Sequence, residues 1–255
     1  MESLTVEYLM VVDKRQPLLK PAESLNHLLK ACSDIEIEKD KLIFLGQSYQ
    51  YQVLTDELVN GDRSFHLGIC CPSLSLISPF QRLLDIVKDL LSKVAKEEPT
   101  ELWDDVSFHY ANQAYPLIHQ VENLMRKLIT KFMFSKVGVD WTQKFVPDGV
   151  LTSTKRRNHL PEDGNYLYQT DFIQLAHFLF QKIKNGGNIG NLYRVIRNAE
   201  SVNDLKLENL KKWVPQSNWE RYFSQYVSCD PSELKDNWQK LYGLRCKVAH
   251  NNTLS

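Results

Sequence analysis

The sequence predicts an α+β protein in two parts: a small antiparallel-sheet domain over residues 1–98 and an all-α region over residues 101–255. Three observations predict it. Short runs with a period of two crowd the stretch before residue 72. Beyond residue 101 the apolar residues recur at three- and four-residue spacing instead. Between the two, Lys96-Glu97-Glu98-Pro99-Thr100 interrupts the pattern, because proline disfavours helix for the residue before it.

In chain order, Val6 to Val12 predicts a strand, and Ala22 to Ala31 a helix with Leu25, Leu28 and Leu29 on one face. Ile35 to Glu38 alternates strictly. Lys41 to Leu45 and Tyr49 to Leu54 are strand-like, and Asn60-Gly61-Asp62 marks a turn before a strand at Arg63 to Cys70. Ser78 as N-cap, Pro79 at the first helical position and Gln81 two further on predict a capping box. The helix that follows carries Phe80, Leu83, Leu84, Val87, Leu90, Leu91 and Val94 on one stripe, which should close the first core.

From Glu101 onward the sequence predicts helix, with a long one from about Trp103 to Phe134 that kinks or restarts at Pro116. Its expected inner stripe is Leu117, Val121, Leu124, Leu128 and Phe132, bordered by Ile118, Met125 and Ile129. A polar loop through residues 154–165 follows. Thr170 to Lys184 predicts a helix with Phe172, Leu175, Ala176, Leu179 and Ile183 inward, ended by Asn185-Gly186-Gly187. Leu205 to Val214 and Asn218 to Tyr226 give shorter segments. Trp213, Trp219, Tyr222, Phe223 and Tyr226 cluster at helical spacing and read as core rather than as a base-stacking platform. The last helix starts near Pro231, capped by Asp230, with Leu234, Trp238, Leu241 and Tyr242 inward.

At 43% hydrophobic and 24% charged the chain is of ordinary globular composition. The first 100 residues hold 11 Lys and Arg against 15 Asp and Glu, a net of −4, and the remainder 20 against 16, a net of +4. That mild basic balance permits a polyanionic partner without demanding one. No stretch is long and apolar enough to span a bilayer, and the N-terminus has no basic region followed by an apolar one, so no membrane association and a cytoplasmic location are expected. The five cysteines are odd in number and lack ligand spacing, which predicts free thiols. His109, His119 and His177 show no ligand pattern, so no metal and no cofactor is expected. Gly186-Gly187-Asn188-Ile189-Gly190 follows a helix, the wrong setting for a phosphate loop.

The residues that point to chemistry lie at the end: Leu244-Arg245-Cys246-Lys247-Val248-Ala249-His250-Asn251-Asn252. This stretch closes an all-helical region and follows a Leu-x-x-x-Trp-x-x-Leu-Tyr-x-Leu lead-in from Leu234 to Leu244. It resembles the R-x4-H signature of the HEPN superfamily, helical domains of RNA-processing enzymes, toxins and anti-phage proteins. Tyr115 to Arg126 and Tyr168 to Phe172 are similar to the first and second helices of such domains, so the resemblance covers roughly residues 103–255.

The resemblance implies an HEPN-like helical bundle and a metal-independent endoribonuclease, a hydrolase of toxin, abortive-infection or anti-phage defence type. It would leave a 2′,3′-cyclic phosphate and a 5′-hydroxyl. Metal-free cleavage needs a group to move the 2′-hydroxyl or leaving-group proton, which histidine suits, and a fixed positive charge on the phosphoryl oxygens, which a guanidinium supplies. Arg245 and His250 fill those roles. Glu122, Cys246 and Asn251 stand as supporting residues, and Lys155, Arg156, Arg157 and Lys247 as contacts to RNA phosphates. The bland readings are a surface arginine and a helix-end histidine, a Glu122 that simply pairs with Arg126 at i, i+4, and a solvated charge run at residues 155–157.

Five residues along a helix turn two side chains about 140° apart. The site therefore asks for a bend or a second protomer, and the resemblance implies a homodimer through the C-terminal domain. The expected partners are RNA and, at the acidic N-terminal domain, an antitoxin or phage-derived trigger. Two departures open a second reading. Family members commonly carry a polar residue, often Asn, where this chain has Cys246, and their last helix usually continues where this sequence stops, so the domain is expected to be truncated there. Both favour a catalytically inactive HEPN module that dimerises and binds RNA or protein. A third reading is an all-α nucleotide-binding or nucleotidyl-transfer partner module.

Overall fold

A computed structural model describes residues 3–16, 21–147, 150, 166–183, 189–211 and 213–249. The fold is α+β, an antiparallel sheet followed by helices. The chain divides into two compact units, residues 1–113 and 114–250.

The first unit is a six-stranded antiparallel sheet in the order β2-β3-β4-β5-β1-β6, built from β1 (Leu4–Val12), β2 (Ile35–Glu38), β3 (Lys41–Phe44), β4 (Gln47–Glu57), β5 (Arg63–Cys71) and β6 (Thr100–Asp104). Alternation decides its faces. Leu4, Val6, Tyr8, Met10 and Val12 of β1 are buried in turn with Phe65, Leu67, Ile69 and Cys71 of β5, whose register pairs Leu4 with Cys71 and Val12 with Arg63. A one-residue slip would turn this entire set to water, so the register is firmly specified. The buried face is covered by α1 (Ala22–Leu29) and α2 (Ile77–Ser92), which bury Leu25 and Leu29, and Phe80, Leu83, Leu84, Val87 and Leu91. Each such side chain contributes roughly 1.5–3 kcal/mol by leaving water.

Two local expectations are corrected here. Ser78 does not cap α2: a 3₁₀ turn at Leu74–Leu76, capped by the Ser73 hydroxyl accepting from Ser75 N at 3.3 Å, runs straight into a helix that begins at Ile77. Ser78 and Pro79 then lie inside the first turn, where a proline N–H is not required. Residues 100–104 are not helical either. They form edge strand β6 against β1, with a bulge between Glu7 and Tyr8. Asp104 ends the strand and caps α3 (Asp105–Val137), its Oδ1 accepting from Val106 N and Ser107 N at 2.9 Å each. An edge strand that is exposed on most positions shows no alternation, so pairing rather than pattern decides it.

Helix α3 runs on through Pro116, and the division between the units falls within it rather than at Pro99. The second unit adds α4 (Trp141–Phe145), α5 (Phe172–Phe180), α6 (Ile189–Arg197), α7 (Leu207–Lys211), a π-helical turn at Trp219–Phe223 and α8 (Pro231–Ala249). Its core gathers Ile129, Met133, Trp141, Phe172, Leu175, Phe178, Leu179, Trp219, Phe223 and Trp238. Phe172 and Trp238 stack with centroids 4.8 Å apart, and the Trp238 indole donates to Phe172 O at 3.1 Å, which fixes α8 on α5. The fully buried Asn218 amide nitrogen lies 2.8 Å from both Phe145 O and Phe178 O, satisfying two carbonyls at helix ends. Asp230 caps α8 as expected, accepting from Ser232 N at 2.8 Å.

Helix α5 is shorter than the pattern through Lys184 suggests, because Gln181 turns extended and Ile183 forms a two-way backbone bridge to Gln216. Among the clustered aromatics, Trp219 and Phe223 are core, whereas Tyr226 is exposed. The larger correction concerns α3. Four of the five residues expected inward face out, with Leu117 64%, Val121 39%, Leu124 49% and Leu128 51% exposed; Phe132 packs on the core, stacked on Phe223 at 4.2 Å, and the bordering Ile118 and Ile129 are buried as expected, together with Glu122, Arg126 and Met133. The cause is a buried polar pair, Glu122 and Arg126, which a purely apolar pattern assigns to water.

Candidate functional site

Helices α3 and α8 of the second unit meet at a small cleft of about 80 Å³, lined by Tyr115, Ile118, His119 and Glu122 from α3 and by Arg245, Val248 and Ala249 from α8. Both sets follow helix spacing, i, i+3, i+4 and i+7 on one side and i, i+3, i+4 on the other, so each helix offers a single face. The volume suits a few waters or one phosphate-sized group.

Its electrostatics centre on Glu122, 8% exposed. One carboxylate oxygen, Oε2, accepts from Arg126 Nη1 at 3.3 Å. Arg126 is spent on structure: Nε donates to Leu167 O at 3.1 Å and Nη2 to Thr170 O at 3.1 Å, tying α3 to the 3₁₀ turn at Tyr166–Gln169. The other oxygen, Oε1, is buried without a hydrogen bond and lies 3.5 Å from Arg245 Nε. One carboxylate thus stands between two guanidiniums, leaving one positive charge over. That charge rests on Arg245, whose side chain is 36% exposed and whose terminal nitrogens make no hydrogen bond among the described residues. A guanidinium held by its Nε with its two amino groups open is set to take an anion bidentately.

Both readings of Glu122 therefore hold at once: it pairs with Arg126 and it lines the cleft beside Arg245. Cys246 and Lys247 do not line it. Cys246 pairs with Tyr242 one turn back, and that hydrogen bond is the main cause of a phenol held above its ordinary range, with burial adding to it. Lys247 is exposed. His250, Asn251, Lys155, Arg156 and Arg157 lie outside the described residues, as does the Asn185-Gly186-Gly187 helix end. Two polar residues lining the cleft, Tyr115 and His119, were not assigned to a site from sequence. The signal that finds them is their spacing from Glu122 on a single helix, since Tyr115, His119, Glu122 and Arg126 fall at i, i+4, i+7 and i+11.

The five cysteines are free thiols. Among the described residues no helix is long and apolar enough to cross a membrane, and no three His, Cys, Asp or Glu side chains are grouped to hold a metal.

Fold and site together define an α+β protein whose helical unit carries a small interhelical cleft where one buried carboxylate meets two guanidiniums. The chain matches no protein-family model, and neither a curated protein nor a solved structure matches it.

Proposed function

We propose that the second unit is an HEPN-type endoribonuclease domain that cleaves RNA at the cleft between α3 and α8. The observation that supports this is Arg245: a half-exposed guanidinium steadied by a buried carboxylate 3.5 Å away, with a surplus positive charge and open amino groups. In this reading Arg245 holds the scissile phosphate and stabilises the charge that builds on its oxygens. His250 takes the proton of the 2′-hydroxyl as that oxygen attacks phosphorus. Glu122 sets the angle of Arg245, and Lys247 with Lys155, Arg156 and Arg157 contributes phosphate contacts.

The setting that goes with this chemistry is a cytoplasmic toxin or phage-defence effector. An antitoxin or phage-derived trigger would act on the N-terminal sheet domain, which carries the acidic half of the sequence. A homodimer through the second unit is supported by the exposed stripe Leu117, Val121, Leu124 and Leu128. Its 4-3-4 spacing is the seam by which helices pair with copies of themselves.

The experiment is RNA cleavage by purified full-length protein beside its Arg245→Ala and His250→Ala variants. Each variant is expected to lose about 100-fold or more, the usual weight of one such group. Cleavage at the parent rate by both variants rejects the site. Binding of RNA without cleavage by any form supports instead the inactive module to which Cys246 gives grounds.

A further inference from the structure

Strand scission by 2′-hydroxyl attack moves two protons. The 2′ oxygen loses one as its bond to phosphorus forms, and the 5′ oxygen gains one as its bond to phosphorus breaks. A single imidazole taking the first is not, in the same step, the donor of the second. The described cleft holds an imidazole that the R-x4-H reading leaves unused. His119 stands on the α3 face that carries Glu122, three residues before it, and lines the same cleft as Arg245. Its ring lies against Tyr115 at 6.1 Å with an interplanar angle of 21°, and Asn123 Nδ2, one turn on, sits 3.2 Å from Nδ1 and 3.1 Å from Nε2. The residue is exposed to solvent where it lines the cleft. In the same cleft the buried Glu122 Oε1 has no hydrogen bond and lies 3.5 Å from Arg245 Nε. The cleft thus brings together a guanidinium, a buried carboxylate and an imidazole, contributed by two helices.

We propose that His119 is the general acid of this cleft, passing its ring proton to the 5′ oxygen as the P–O5′ bond breaks. The proposal rests on the ribonuclease reading above. The electron pair of the P–O5′ bond stays with the departing oxygen, which takes the proton from the His119 imidazolium. His119 becomes neutral and His250 is left protonated by the 2′-hydroxyl, so charge and protons balance. The group regains its proton from water between turnovers. Tyr115, stacked against the ring one turn back on the same helix, is a positioning residue.

The test uses two oligoribonucleotides of one sequence, one ordinary and one with sulfur replacing the bridging 5′ oxygen at the scissile position. A thiolate leaves without being protonated, so an acid is needed for the first substrate and not for the second. Wild type, His119→Ala, His119→Gln and Arg245→Ala are assayed on both, with thermal melting to confirm folding. Should His119→Ala fail to fold, His119→Gln carries the comparison. The expected result is that His119 variants lose about 100-fold or more on ordinary RNA, the lower range for one acid–base group, and stay within a few-fold of wild type on the sulfur substrate. Arg245→Ala loses on both. Equal loss on both substrates by the His119 variants, or wild-type rates on ordinary RNA, overturns the acid assignment while leaving the Arg245 site standing. If Arg245→Ala cuts both as wild type does, or wild type cuts neither, the ribonuclease reading fails and this inference with it.

Discussion

Glu122 carries the clearest consequence at the scale of a single residue. Its side chain is 11% exposed and Arg126 beside it only 9%, so the pair is a buried one and removing one partner strands the other. Glu122→Ala is expected to destabilise the protein by about 3–5 kcal/mol, the cost of an uncompensated buried charge. Glu122→Gln keeps an acceptor for Arg126 and should cost roughly 1–3 kcal/mol. Urea midpoints of the two variants measure this. An alanine variant as stable as wild type would mean that Arg126 is satisfied by the carbonyls of Leu167 and Thr170 alone. Arg245 was legible in the sequence because its type and place match a signature, and Glu122 because it falls on the helix expected to face it. His119 was not, since a lone histidine at helical spacing looks like any polar surface residue until the opposing helix is known.

At the scale of the element, the strands and helices of the first unit could be read closely, because a one-faced sheet writes its burial as strict alternation and α2 as a single stripe. What could not be read depended on partners distant in sequence. Strand β6 exists because β1 offers it an edge, and α5 ends early because Ile183 is drawn to Gln216. Helix α3 shows the same lesson in reverse. Its most apolar stripe looked like core, yet the core lies on the face that also holds Glu122 and Arg126, and all of the stripe but Phe132 is left outside. If that stripe joins two copies, wild type sediments at twice the chain mass and Leu124→Glu as a monomer with unchanged melting. A wild-type monomer, or a Leu124→Glu dimer, would rule out α3 as the seam.

At the scale of the molecule, an acidic sheet unit and a helical unit with a cationic cleft are joined through one long helix, α3, which begins in the first and continues into the second. Sequence charge alone foretold the contrast, with a net of −4 in the first 100 residues and +4 thereafter. The cleft itself needed the fold, because its two faces lie more than a hundred residues apart along the chain. The central claim is that this cleft cuts RNA by 2′-hydroxyl attack at a phosphate held by Arg245, and the ends of the products test it most directly. Cleaved RNA should carry 2′,3′-cyclic phosphate and 5′-hydroxyl ends, in equal yield with and without a chelator, and these should vanish with Arg245→Ala. Products with 3′-hydroxyl and 5′-phosphate ends, or the same ends released as fast by Arg245→Ala, would contradict it.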